Sequence, residues 1–268
     1  MKVGVTTIAY NQTDTLRKMV KTISETSVWP VEFHIFLNST NKAVSDVCSE
    51  ISVEHDAIIY RYGYNRGVAR SWNDGIVKMA DSSCDYMFVV NDDVWVSTGD
   101  VNAMINAADE HRDNYAIMCS GWNDGDDRPV ENHGMAFFLI NPIAIGKLGF
   151  FDENFFPAYN EDLDYDYRAR LAGLNYFLIK DTMVHHVGSS AIKTSPFLKQ
   201  QNYITHHRND VYWLAKWGIE KHEYEENPRI VNRRPFNVDR FHPYYIAEED
   251  RHEPYPDFNR TDQGIVRF

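Results

Sequence analysis

The sequence has few cysteines, little positive charge and no long apolar run. Cys48, Cys84 and Cys119 are odd in number, widely spaced and without a C-x-x-C pair. That pattern supports neither a disulfide framework nor a zinc knuckle, and it suits a reducing cytoplasm. The longest apolar stretch, Met135 to Ile140, falls far short of the ~18 residues a membrane span requires. The N-terminus shows no basic patch followed by an apolar run, so the expectation is a cytoplasmic protein with no transmembrane segment. Twenty-seven Lys and Arg stand against 39 Asp and Glu, a net charge of -12. That balance opposes broad attraction to nucleic acid or anionic lipid, because phosphate binding rests on clustered cations. The segment Arg229 to Arg240, RIVNRRPFNVDR, is the one candidate for a local basic groove, with a plain solvated arm as its alternative. No Gly-x-Gly-x-x-Gly and no Walker A pattern follows the first apolar run, which removes the usual dinucleotide and P-loop readings.

What is present describes an ordinary globular chain. A 43% hydrophobic share over 268 residues can bury a full core, and the length suits one large domain with a C-terminal extension. Short β-rich runs alternate with helical segments through the first 120 residues, the pattern of βαβ units in a mostly parallel sheet flanked by helices. The expected strands are Val3 to Ala9, Glu32 to Leu37, Ala57 to Tyr62, Tyr86 to Asn91 and Tyr115 to Ser120. The expected helices are Thr13 to Thr26, Ala43 to Ile51, Val68 to Ala80 and Asp100 to His111. Polar clusters follow the strands: Tyr10-Asn11-Gln12, Asn38-Ser39-Thr40, Asn65-Arg66-Gly67 and Asn91-Asp92-Asp93. Open α/β sheets bind ligands beyond the carboxyl ends of their strands, so these clusters should meet at one crevice. Further on come a buried run (MAFFLI), a Pro-started helix over Pro142 to Lys147, a helix over Glu161 to Ala172, a strand over Tyr176 to Ile179 and a helix over Pro196 to Trp217. Residues 1–218 are read as the catalytic domain and 219–268 as an extended arm.

Three segments carry chemistry. Adjacent carboxylates at Asp92 and Asp93 follow the apolar strand YMFVV, where a hard cation such as Mg2+ or Mn2+ would find oxygen ligands; a capped turn is the plainer explanation. Glu161 and Asp162 open a helix after the aromatic loop GFFDENFFPAY. There a partly desolvated carboxylate could take a proton from a hydroxyl, or could simply complement the helix dipole. His185 and His186 precede a Ser-rich turn, and a neutral imidazole could complete a carboxylate and phosphate shell.

Taken in order, these segments resemble the inverting family 2 glycosyltransferases of the GT-A fold, from residue 3 to about residue 218. The resemblance implies an α/β Rossmann-like fold, a nucleotide-sugar donor, with UDP or TDP favoured, and a Mn2+ or Mg2+ cofactor. VGVTTIAYNQ is similar to the family's first strand, which places Thr7, Tyr10 and Asn11 at the nucleobase; Asn38 stands where the family often has Asp. The run Asn65-Arg66-Gly67-Val68-Ala69-Arg70-Ser71-Trp72-Asn73-Asp74-Gly75 resembles the Asn-x-Gly segments that flank the nucleotide, and it brings in Asn65, Gly67, Arg70 and Asn73. Asn91-Asp92-Asp93 falls on the Asp-x-Asp element, with Asn91 and Asp92 toward the donor and Asp93 on the metal. His186 heads an H-x-G-x-S pattern like the family's metal histidine, and His185 fits that spacing less well. Asp162 is by the same likeness the base, Glu161 shapes the acceptor pocket, and Arg168 follows on the acceptor side; Trp122 and the aromatic loop Phe150 to Tyr159 could stack on the sugar rings of an acceptor or could simply be core. The implied acceptor is a glycan hydroxyl, with a hydroxylated nucleobase in DNA or a protein side chain as alternatives. A nucleotidyltransferase and a non-catalytic carbohydrate-binding protein are the rival readings; the first normally has a Gly-rich basic loop that TTIAYNQT lacks.

Overall fold

A computed structural model describes the backbone of residues 1–123, 129–130, 135–188, 196–219 and 221. The elements run β1 (Val3–Ala9), α1 (Asp14–Thr26), β2 (Val31–Leu37), α2 (Lys42–His55), β3 (Ile58–Arg61), α3 (Val68–Asp81), β4 (Tyr86–Val90), β5 (Val94–Trp95), α4 (Asp100–Glu110), β6 (Tyr115–Asn123), β7 (Pro129–Val130), β8 (Phe137–Ile140), α5 (Pro142–Leu148), α6 (Glu161–Leu171), β9 (Asn175–His186) and α7 (Pro196–Trp217). One sheet is ordered β3-β2-β1-β4-β8-β6-β9-β5, with β7 paired to β6. Strands β1 to β4 are mutually parallel; β8 runs against both β4 and β6, and β9 runs parallel to β6. Six strands, β1, β2, β3, β4, β6 and β9, therefore point the same way and end on one rim.

Side chains alternate across each strand, so a strand buried on both faces must be apolar throughout. In β4, Tyr86, Phe88 and Val90 pack into one core cluster and Met87 and Val89 into another. The first cluster takes the apolar stripes of α1, α2 and α4, and the second those of α3, α5 and α6. The result is a sheet between two helical layers. Asn141 starts α5 by accepting the Ile143 N–H on its side-chain oxygen at 2.9 Å, ahead of a first-turn Pro. A third cluster, outside the sheet, joins Phe155 and Tyr167 to Tyr212, Trp213 and Trp217 of α7.

Two elements depart from the sequence expectation. Strand β9 does not stop at Ile179 but continues to His186, carried past an irregularity by its pairing with β6 from Gly121 to Asn123. Strand β5 exists only as a two-residue pairing, Val94 with His186 and Trp95 with His185, so the two histidines lie in a strand. The segment 222–268, including Arg229 to Arg240, lies outside the described residues.

Candidate active site

The polar clusters after β1, β2 and β4 stand on the shared rim. The Tyr10 N–H donates to Asp92 Oδ2 at 3.4 Å, joining the end of β1 to the end of β4. The Asn38 N–H donates to the Ala9 carbonyl at 2.9 Å. The buried Asn38 side chain gives its Nδ2 to Ser71 Oγ at 2.9 Å and to the Gly67 carbonyl at 3.4 Å. Ser71 itself donates to the Gly67 carbonyl at 2.7 Å, so its oxygen must accept from Asn38, and this fixes the amide orientation. An aspartate at this position would face the Gly67 carbonyl with no proton to give. Among the described residues, the buried Asn38 amide oxygen and Thr7 hydroxyl have no hydrogen-bond partner. Asn11 follows Tyr10 on the same rim and accepts from Gln12 Nε2 at 3.2 Å.

The start of α3 is built for close approach. Asn65 Oδ1 accepts the Gly67 N–H at 2.9 Å, and Gly67 sits at φ 79°. A Cβ there would come within 2.8 Å of the Phe156 ring, so only glycine lets the loop before α6 close onto α3. The Val68 N–H then donates to the Pro157 carbonyl at 2.7 Å. Arg70 Nε lies 3.8 Å from Glu153, and Asn73 binds the Phe151 backbone in both directions at 2.9 Å. The loop ahead of Glu161 is thereby fastened to the rim, and the start of α6 is fastened with it.

At the other side of the rim, Asp93 is 5% exposed, and His186 Nε2 lies 3.1 Å from its Oδ1. The Val187 N–H donates to the Asp93 carbonyl at 3.1 Å. Successive residues of a strand face opposite ways, so His185 turns aside and stacks on Trp95, with ring centroids 5.4 Å apart. Burial, with Asp93 adjacent, pushes the Asp92 carboxyl up to about 8. Crowded carboxylates of this kind favour a divalent cation, which would oppose that shift. One carboxylate and one imidazole are a fitting partial shell for a metal that keeps positions for phosphate and water.

Helix α6 is a buried polar helix whose charges pair with each other, Asp164 with Arg168 and Asp166 with Arg170, and Asp164 is also met by Lys216 of α7. Asp164, fully buried, accepts from Arg168 Nε at 2.9 Å and Trp217 Nε1 at 3.0 Å, and lies 2.6 Å from Lys216 Nζ. Lys216 also donates to Asp152 Oδ2 at 2.7 Å, and the Tyr212 hydroxyl donates to the same oxygen at 2.8 Å. Asn209 Nδ2 donates to the Ala158 and Tyr159 carbonyls at 2.7 and 2.8 Å, supporting the left-handed pair Tyr159 and Asn160 that starts the helix. On this platform Glu161 is 5% exposed, with a buried carboxyl oxygen that has no hydrogen-bond partner in the structure. Burial, followed by the neighbouring Asp162, holds its carboxyl well above the usual carboxylate range. Asp162 accepts the Leu163 N–H at 2.8 Å, and burial raises its carboxyl as well.

Some residues read as ligand contacts have other work. Arg168 is fully buried and spends its guanidinium on Asp164 and on the Leu148 and Phe150 carbonyls, so its place is the core beneath α6 and not the acceptor side. Asn73 is likewise buried and committed to Phe151 and Glu153, which corrects its assignment to the donor. The backbone of Trp122 lies in β6, and its side chain is outside the described residues. Sequence reasoning missed the Asp152–Lys216 clamp, for which the only signal was two charged residues beside the aromatic loop and the aromatic end of α7.

A family model described as glycosyl transferase family 2 matches residues 5–168. A galactofuranosyl glycosyltransferase of Leishmania donovani is 45% identical over 64 residues, covering 21% of this chain and 15% of that protein. Among solved structures, the mannosyltransferase PcManGT from Pyrobaculum calidifontis, in complex with GDP-Man and Mn2+, has a TM-score of 0.59 at 12% identity, covering 84% of this chain and 67% of that one. Residues 1-349 of S. aureus TarS give a TM-score of 0.56 at 11% identity, covering 70% of this chain and 61% of that one. The chain thus spans less than two thirds of the TarS fragment and a small part of the Leishmania protein. At these identities the solved structures speak for the fold, which is the GT-A arrangement of sheet and helices expected from the sequence. The match of the family model runs from β1 through the start of α3 and the Asp92-Asp93 turn into α6, and with it the chain belongs to glycosyl transferase family 2.

Proposed function

We propose that the protein is an inverting, metal-dependent glycosyltransferase that moves a sugar from a nucleotide-diphosphate donor to an acceptor hydroxyl. The observation that carries this reading is the Asp93–His186 pair, 3.1 Å apart on the rim to which the Glu161-Asp162 helix start is also fastened. Residues at the ends of β1 and β2 and at the start of α3 hold the nucleotide. Asp93 and His186 would hold Mn2+ or Mg2+, and that ion would supply charge neutralisation for the diphosphate. Asp162, made more basic by burial, takes the proton of the acceptor hydroxyl as that oxygen attacks the anomeric carbon. Glu161, whose carboxyl burial holds well above the usual carboxylate range, shapes the acceptor pocket. No second carboxylate is assigned as a catalytic acid, because the metal would supply the charge neutralisation that a departing diphosphate needs. A UDP- or TDP-sugar donor, a glycan acceptor and a cytoplasmic setting complete the proposal; the GDP-Man and UDP-GlcNAc complexes of the similar structures support the donor class.

The test is a screen of UDP-, TDP- and GDP-sugars with Mn2+, reading nucleotide release and transfer to oligosaccharides. One donor should be turned over, Asp93→Ala should lose donor binding and turnover, and Asp162→Asn should bind donor yet transfer slowly. Near-normal transfer by Asp162→Asn at saturating acceptor would remove its role as the base.

A further inference from the structure

We infer that Glu32, His34 and Cys84 form a second metal site, suited to zinc, on the rim opposite the nucleotide crevice. Among the described residues, these three form the one group of metal-capable side chains whose ligand atoms all lie within 4.8 Å of one another. Glu32 and His34 are two apart on β2 and so share a face, while Cys84 ends the turn that leads from α3 into β4. Strand β1 runs between β2 and β4, and the residue on it that pairs with both Glu32 and Met87 is Gly4. A Cβ on Gly4 would stand 2.8 Å from the Cys84 sulfur, so the bare backbone is what lets the thiol reach across β1 toward β2. Glu32 lies six residues and His34 four residues before Asn38 on a strand rising about 3.3 Å per residue, which separates this group from the crevice by roughly 13–20 Å along β2.

The donor set selects the ion. Nitrogen, sulfur and a single carboxylate oxygen suit zinc, whereas Mg2+ and Mn2+ favour oxygen shells. The group also has the outer partners of a metal site. His34 Nε2 donates to the carboxylate oxygen Glu32 Oε1 at 2.9 Å, and Nδ1 lies 3.0 Å from the Tyr60 hydroxyl; moving the ring proton to Nδ1, where that hydroxyl oxygen can accept it, frees Nε2 for the ion. Lys2 Nζ occupies the other oxygen, Glu32 Oε2, at 2.6 Å and leaves Oε1 to serve as the ligand. Uptake releases the Cys84 thiol proton to solvent and shifts the imidazole proton from Nε2 to Nδ1, toward the Tyr60 hydroxyl oxygen. Glu32 and Cys84 are partly exposed, which opens a path for the ion and a fourth position for water, while His34 is 1% exposed and anchors the site. The bound ion would tie the strands on either side of β1 to each other.

This inference does not rest on the transferase reading and is tested apart from it. Co2+, a spectroscopic stand-in for zinc, is titrated into the full chain carrying Asp93→Ala, which removes the candidate catalytic metal site. Cys48 and Cys119 are buried in the core, so a thiolate-to-cobalt charge-transfer band can come only from Cys84. The expected result is such a band saturating at one equivalent, displaced by Zn2+ but not by excess Mg2+. It should be absent in Cys84→Ser and require at least about tenfold more Co2+ in Glu32→Gln; circular dichroism confirms that both variants are folded. A folded chain that takes up Co2+ without a sulfur band, or a band that survives Cys84→Ser, overturns the site.

Discussion

Lys216 Nζ lies 2.6 Å from Asp164 Oδ1, tying the last turn of α7 to the helix that begins with Glu161 and Asp162. The same ammonium reaches Asp152 in the loop ahead of that helix, so one cation serves two buried carboxylates. Replacing it with an apolar side chain leaves Asp152 without a cation and Asp164 with Arg168 alone. Lys216→Met is expected to lower unfolding free energy by about 3–5 kcal/mol, read from urea denaturation monitored by tryptophan fluorescence.

The clamp also sets a pH dependence. Burial alone would push the Asp152 carboxyl up, but the facing Lys216 ammonium and the hydrogen bonds from Asn154 outweigh it and hold the group below its ordinary value. A carboxylate depressed in the folded state adds stability that is complete above the unfolded value, about pH 4, and is lost as pH falls through the folded value. Urea midpoints measured downward from neutral pH should therefore drop more steeply in the wild type than in Asp152→Asn.

Two glycines should respond in opposite directions to the same change. A Cβ on Gly75 would fall 2.0 Å from Thr6 Oγ1, which forces α3 away from β1, whereas Gly146 in α5 has nothing within 4 Å of its added carbon. Gly75→Ala is expected to destabilise by about 1–3 kcal/mol or more. Gly146→Ala should stabilise by about 0.5–1 kcal/mol through helix propensity. Thermal melts of the two variants side by side give the comparison.

The two adjacent histidines should separate functionally. His186 faces Asp93 and His185 faces Trp95, so His186→Ala should weaken Mn2+ binding by at least the ~10–100-fold that loss of a supporting metal contact costs. His185→Ala should leave the Mn2+ affinity within about threefold of wild type, inside the usual context scatter for a residue without metal contact, and cost only packing against Trp95. Electron paramagnetic resonance of free Mn2+ measures both.

The parts legible in the sequence are those decided locally. Strands β1 to β4 and helices α1 to α4 announce themselves by periodicity and by the turn residues between them, and each spans enough residues for the pattern to repeat. Strand β5 has two residues and exists because His185 and His186 come alongside, a pairing that no local window contains. Arg168 was misplaced for a related reason. A charged residue on a polar helix reads as solvent-facing or ligand-facing, and only the arrival of the Leu148 and Phe150 carbonyls, beside the i,i+4 partner Asp164, shows it to be a core residue. Asn38 follows the apolar run of β2 as a turn residue any local window shows, but its fixed amide depends on Ser71, whose own proton is committed to Gly67.

The pairing of β5 with β9 sets a lower bound on the piece of chain that could be exchanged with a relative. The stretch by which the chain is classified ends at residue 168, whereas His186 and the Lys216 clamp lie beyond it. A chimera carrying only residues 5–168 would inherit the Asp92-Asp93 turn and the Glu161-Asp162 helix start while leaving behind the histidine and the cation that hold them in place. The turn after β4 and the whole of β9 therefore form one unit of inheritance, to be transplanted together or not at all.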